Sequence, residues 1–129
     1  MKAVDTNLLV RVATADDPGQ NELALNTIRG GAFVTSGVWI EIEWVLRSSY
    51  RMAREAIAEV LSGLLVMDGL ETRDRDEVWW AISRYRAGAD WADMIHLIDA
   101  TGLAAFATFD SQLAAQAGPD TPVPVEHLQ

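Results

Sequence analysis

The 129-residue chain contains no cysteine. Disulfide frameworks and thiolate metal sites are therefore excluded. Lysine is almost missing: Lys2 stands alone, and every other basic residue is an arginine. No stretch approaches the roughly 20 uninterrupted apolar residues that a membrane span needs. The first residues lack the charged, apolar and cleavage-site regions of a signal peptide. A cytoplasmic protein with no membrane partner is the simplest expectation. Positive charge is also scarce, with ten bases against nineteen acids and a formal charge of −9. That argues against broad nonspecific nucleic-acid affinity, which depends on neutralising phosphates. It leaves room for a nucleic-acid enzyme, because a bound metal supplies positive charge locally. Arginine grips phosphate and carboxylate in a bidentate fork, so an RNA or an acidic protein partner would suit these bases. A compositional bias from lysine to arginine in an alanine-rich chain explains them equally well.

Half of the residues are hydrophobic, and the length suits one domain over residues 1–129. Apolar periodicity predicts strands alternating with helices. Strands are expected at residues 2–4, 32–35, 70–72 and 104–109, with a last edge strand in "PVPV" at 122–125. Helices are expected at 8–13, 20–29, 38–50, 54–67, 76–86, 91–101 and 111–117. This alternation implies an α/β fold with a short parallel sheet flanked by helices on both faces. Open parallel sheets place functional groups at the carboxyl ends of their strands. Asp5 follows the first strand and Asp110 follows "AAFATF", so both are expected at one crevice.

Each acid also has an ordinary structural explanation. Asp5 is well placed to cap the following helix, and Thr6 and Asn7 are common turn residues. In "SGVWIEIEWVLRSSY", Glu43 has Arg47 at i+4 and reads as a surface pair. Glu41 has Val38, Trp44 and Val45 at helical spacing, so it reads as lying beside an apolar stripe, where an unpaired carboxylate is costly. In "GADWADMIHLIDA", Asp90 is a natural N-cap and Asp93 falls at the third helical position. Asp93 also has Leu97 at i+4 on an apolar face. His96 reads as a packed or rim residue. Asp110 is a cap candidate, with Thr108 before it as an ordinary strand residue. Jointly, Asp5, Glu41, Asp93 and Asp110 all stand at or near helix starts, and can converge at one edge of the sheet. Four carboxylates in one pocket repel strongly without cations. Hard oxygen donors of this kind suit Mg²⁺ or Mn²⁺, and such a site hydrolyses phosphodiesters.

"KAVDTNLLVR", the "IEIEWVL" helix, "GADWADMIHL" and "FATFD", in that order, resemble the motifs of PIN-domain ribonucleases, and within them the VapC toxins of type II toxin–antitoxin modules. The resemblance covers nearly the whole chain and implies the PIN-like three-layer fold. It places the acidic set on Asp5, Glu41, Asp93 and Asp110, and supporting polar residues on Thr6 or Asn7 and on Thr108, with Asp90 a fifth acid at the rim. It implies Mg²⁺- or Mn²⁺-dependent endonucleolytic cleavage of RNA by an activated water. It also implies a homodimer and a cognate antitoxin whose tail covers the site. Asp5, Asp93 and Asp110 would hold metal, with Glu41 a ligand or the group that orients the water. Glu43 would share that role if the helix began in another register. Arg11 is a candidate for a substrate phosphate, although a surface arginine packing its stem explains it as well. The five tryptophans sit mostly at core spacings, and Trp79-Trp80 cannot both face inward. Competing readings fit less well. A phosphoacceptor receiver domain needs a lysine near its acids, and Lys2 lies on the wrong side of Asp5. A haloacid-type phosphatase would begin Asp-x-Asp where this chain has Asp-Thr-Asn. A binding module that kept the fold without turnover would have no need of all four acids.

Overall fold

The computed structural model describes residues 1–129. The protein is an α/β chain of seven helices and five short parallel strands that divides into two compact units, Met1–Arg75 and Asp76–Gln129. No helix is long and apolar enough to cross a membrane.

The first unit holds β1 (Lys2–Ala3), α1 (Thr6–Thr14), α2 (Pro18–Arg29), β2 (Ala32–Val34), α3 (Ser36–Ser48), α4 (Arg54–Leu65) and β3 (Leu70–Thr72). Its strands form a parallel sheet in the order β1-β2-β3, with Lys2 opposite Ala32 and Ala32 opposite Leu70. Parallel strands need crossover helices, and α1 to α4 supply them. Leu9, Ile28, Ile42, Leu46, Ile57 and Leu61 are fully buried and fill this unit. Helix α2 begins two residues before the sequence expectation. Asp17 accepts a bond from the Gln20 N–H at 3.1 Å and Pro18 takes the first turn, where its missing N–H costs nothing. Gly69, at φ +90°, lets β3 pass close beneath the end of α2, because a Cβ there would stand 2.1 Å from the Ile28 carbonyl oxygen.

The second unit holds α5, which starts one residue earlier (Arg75–Arg86), then α6 (Trp91–Asp99), β4 (Phe106–Thr108), α7 (Leu113–Ala117) and β5 (Val125–His127). Strand β4 pairs in parallel with β5, Phe106 opposite Val125 and Thr108 opposite His127. The sequence suggested one sheet; the structure has two, with β4 and β5 forming their own. The final strand also lies later than the "PVPV" expectation. Pro122 and Pro124 have no N–H to give a ladder. The Pro124 carbonyl accepts from the Phe106 N–H at 2.7 Å, and the strand runs on from Val125. Tyr85 and Trp91 meet edge to face, 5.7 Å between ring centres, and Met94, Leu97 and Leu113 pack as further buried residues. Trp39 and Trp91 are core residues as expected, but Trp44 is 55% exposed and Trp79 is 37% exposed.

Candidate active site

In the first unit the candidate residues gather at the start of α1. β1 ends before Asp5, whose exposed carboxylate caps α1 by accepting the Leu8 N–H at 3.0 Å. The cap uses one oxygen and leaves the other without a protein partner. Thr6 is buried, and its hydroxyl donates to Glu41 Oε1 at 2.9 Å across 35 residues of sequence. That bond brings α1 and α3 together at this end and fixes a carboxylate that is itself exposed. Of the two polar candidates beside Asp5, Thr6 makes the contact and Asn7 is exposed.

The burial of the two glutamates is the reverse of the sequence expectation. The buried stripe of α3 is Trp39, Ile42, Glu43 and Leu46, a spacing of three, one and three that includes Glu43 and omits Glu41. The expectation went wrong by treating Trp44 as core when it is largely exposed. The Arg47 pair itself is present: Arg47 Nε donates to Glu43 Oε2 at 2.8 Å. It lets a carboxylate sit at the edge of the core, since a buried charge needs a partner. Glu43 is thereby neutralised, and Glu41 is the glutamate of α3 left facing solvent.

In the second unit Asp90, Asp93 and Asp110 form a set of like charges. Asp90 caps α6 by accepting the Asp93 N–H at 3.0 Å. Asp93, one turn in, is half-buried. Its carboxyl is pushed above the ordinary carboxylate range, first by burial and then by the charges of Asp90 and Asp110, against a smaller pull from His96. His96 is exposed. Asp110 follows β4 in a tight turn. Its N–H donates to Thr108 Oγ1 at 3.0 Å, and its Oδ1 accepts from the Gln112 N–H at 2.9 Å. Thr108 thus orients the Asp110 backbone. No arginine or lysine forms an ion pair with Asp5, Glu41, Asp90, Asp93 or Asp110. Neither unit by itself gathers three or more His, Asp or Glu side chains into a metal site.

One residue of this region was not legible beforehand. Arg84 of α5 donates to the carbonyls of Gln116 (2.7 Å) and Ala115 (3.2 Å), satisfying the orphan acceptors at the end of α7. Gly118, at φ +77°, leaves room for the guanidinium, since a Cβ there would lie 3.1 Å from Arg84 Cζ. Arg84 therefore fastens the helix that follows Asp110 to the helix that precedes Asp90. A glycine after a short helix was the only trace of this in the sequence.

The chemistry of the donors suits a hard divalent cation. All are carboxylates, none forms an ion pair with arginine or lysine, and the burial and like charges that raise Asp93 are effects a bound cation offsets. The family model for the PIN domain matches residues 2–119. No curated protein and no solved structure matches the chain.

Proposed function

The chain belongs to the PIN-domain family, a family of metal-dependent nucleases, and on that premise we propose that it is an endoribonuclease dependent on Mg²⁺ or Mn²⁺ and acts as the VapC-type toxin of a toxin–antitoxin pair. Asp5, Asp93 and Asp110 would hold the ion, and Glu41 would be a further ligand or orient the attacking water. When bound, the ion supplies Lewis-acid stabilisation of charge on the phosphodiester and lowers the pKa of water. The chain's own residues set the geometry. The Thr6 hydroxyl keeps Glu41 in one rotamer, Thr108 fixes the backbone of Asp110, and Arg84 anchors the helix behind it. Such supporting bonds orient ligands and tune their basicity. Asp90 stands at the rim and adds to the negative field.

The observation that carries this reading is Asp93, half-buried at the start of α6 with no arginine or lysine paired to it, its carboxyl raised first by burial and then by the charges of Asp90 and Asp110. Sites that do chemistry hold such perturbed groups more often than surfaces do. Exposed carboxylates also offer a docking point for an arginine of an antitoxin tail. A homodimer working in the cytoplasm completes the proposal, and the apolar side chains exposed on the first unit, Trp44 and Val66 among them, are available to a partner copy.

The test is cleavage of total cellular RNA by the purified protein, with cut ends mapped, in Mg²⁺, in Mn²⁺ and in EDTA. Discrete cuts that need the divalent ion and vanish in Asp93→Asn support the enzyme. Full activity in EDTA, or none under any condition, overturns it, the second in favour of a binding module. Growth arrest on expression, relieved by a small reading frame encoded next to it, tests the toxin role.

A further inference from the structure

A groove between α1 and α2 in the first unit has no part in the site described above. Asn7, Leu8 and Arg11 form its α1 wall, and Gln20, Leu23 and Thr27 line the other side. The three- and four-residue spacings put each trio on one helix face. The volume is about 190 Å³. Pockets that enclose a drug-sized ligand run to roughly 300–1,000 Å³, so this one suits a single ring system. Its lining is mostly apolar and includes Leu23, which is 69% exposed. The Thr27 hydroxyl is engaged with the Leu23 carbonyl at 3.0 Å, whereas the side-chain amides of Asn7 and Gln20 are free. An amide offers both a donor and an acceptor to a base edge.

Arg11 gives the groove its charge. It pairs with Asp16 at 3.3 Å, with the two side chains 38% and 49% exposed. Ion pairs this exposed hold weakly. Asp16 has other donors within reach: the Tyr50 hydroxyl at 3.4 Å, and Thr14 Oγ1 at 3.1 Å, whose one proton is shared with the Val10 carbonyl at 2.9 Å. The Thr14 hydroxyl first, and then Arg11 through a hydrogen bond and through its charge, keep the Asp16 carboxyl below its ordinary range. Because the pair is exposed, the guanidinium exchanges partners at little cost. Arg11 lies six residues beyond Asp5, about 9 Å along the helix axis at 1.5 Å per residue. A phosphate one or two nucleotides along a single strand covers that distance.

We propose that the α1–α2 groove is a nucleotide subsite for the RNA, resting on the ribonuclease reading above. Arg11 takes a backbone phosphate beside the one at Asp5. The attached base lies on Leu8 and Leu23 with its edge toward Asn7 and Gln20. RNA suits this groove through its phosphates: in a chain of charge −9, an arginine in an exposed, weakly held ion pair stands along the helix that Asp5 begins.

The experiment is fluorescence anisotropy of a labelled, mixed-sequence single-stranded RNA of ten nucleotides with the full chain, in EDTA and low salt. Arg11→Gln and Leu23→Glu should each raise Kd about tenfold, with unchanged melting temperature. Arg11→Gln should also reduce the salt slope by about one ion, as expected for one lost phosphate contact. Arg11→Lys should restore part of the affinity. Leu103→Glu, a new charge at a 64% exposed position outside the groove, should leave Kd unchanged. Wild-type Kd in both groove variants, or no binding by the wild type, overturns the subsite. If Leu23→Glu instead turns a dimer into a monomer in sedimentation and RNA binding is untouched, the groove belongs to a second copy. The parent reading is scored separately by Mg²⁺-dependent cleavage of the same RNA. Normal cleavage with unchanged Kd in both variants sinks only the subsite, and no cleavage by the wild type sinks the nuclease.

Discussion

Thr6→Val removes one oxygen from the structure and keeps the branched shape. The lost bond is the 2.9 Å contact from a buried hydroxyl to Glu41, which is exposed. Hydrogen bonds to charged groups contribute about 1.5–3 kcal/mol when both ends are shielded. Here water replaces the hydroxyl at the carboxylate, so the lower figure is discounted to about 1 kcal/mol, within the usual net range. Valine leaves no unsatisfied group behind, which keeps the fold intact. The melting temperature should fall by roughly 2–8 °C, the span of domain-size scaling for 1 kcal/mol. Glu41 then samples several rotamers, and if its place matters to the reaction the cleavage rate drops about fivefold, given that 1.36 kcal/mol is a factor of ten. Urea unfolding of Thr6→Val, Glu41→Ala and the double variant isolates the pair, with a coupling of about 1 kcal/mol expected. Coupling indistinguishable from zero would show that the bond does not hold Glu41. An unchanged rate in Thr6→Val would show that Glu41 needs no holding.

Glu41→Gln should lower cleavage about a hundredfold or more, in the range for groups that assist proton transfer, while Glu43→Gln should leave the rate near wild type; a reversed order would return the catalytic role to Glu43. Asp93→Asn should abolish cleavage yet gain stability relative to the wild type as pH rises. The sign follows from the raised carboxyl: between its ordinary value of 3.8 and the higher folded value, the folded state binds more protons than the unfolded one, so ionisation above that window disfavours folding. The difference in melting temperature should vanish near pH 3 and be full at neutral pH, and a wild type more stable at neutral pH would contradict it. Gly69→Ala should cost more than about 2 kcal/mol through positive φ and the clash with the Ile28 carbonyl, read as a lower urea midpoint; an unchanged midpoint would show that β3 does not pass so close to α2.

The strand–helix alternation was readable in part because α1 and α2 carry their own boundary signals: Asp5 at the start of α1, Asp17 with Pro18 at the start of α2, and Gly30 at its end. Residues 70–72 form the strand that their sequence suggested. Sheet membership was harder, because strands of two or three residues carry no pairing signal, and β4 found β5 instead of joining the first three. The acids were visible as residues out of keeping with their neighbours. Which glutamate faced water was misread, since periodicity cannot tell an exposed tryptophan from a buried one, and Trp44 took the place that Glu43 holds. Contacts between residues distant in sequence, such as Thr6 with Glu41 and Arg84 with Gln116, leave no local trace and needed coordinates.

The proposal that Asp5 and Asp110 serve divalent-ion binding is decided by calorimetric titration of Mn²⁺ into the wild type, Asp5→Asn and Asp110→Asn. Binding by the wild type that weakens at least tenfold in each variant is the expected result. Equal affinity in all three proteins would contradict it.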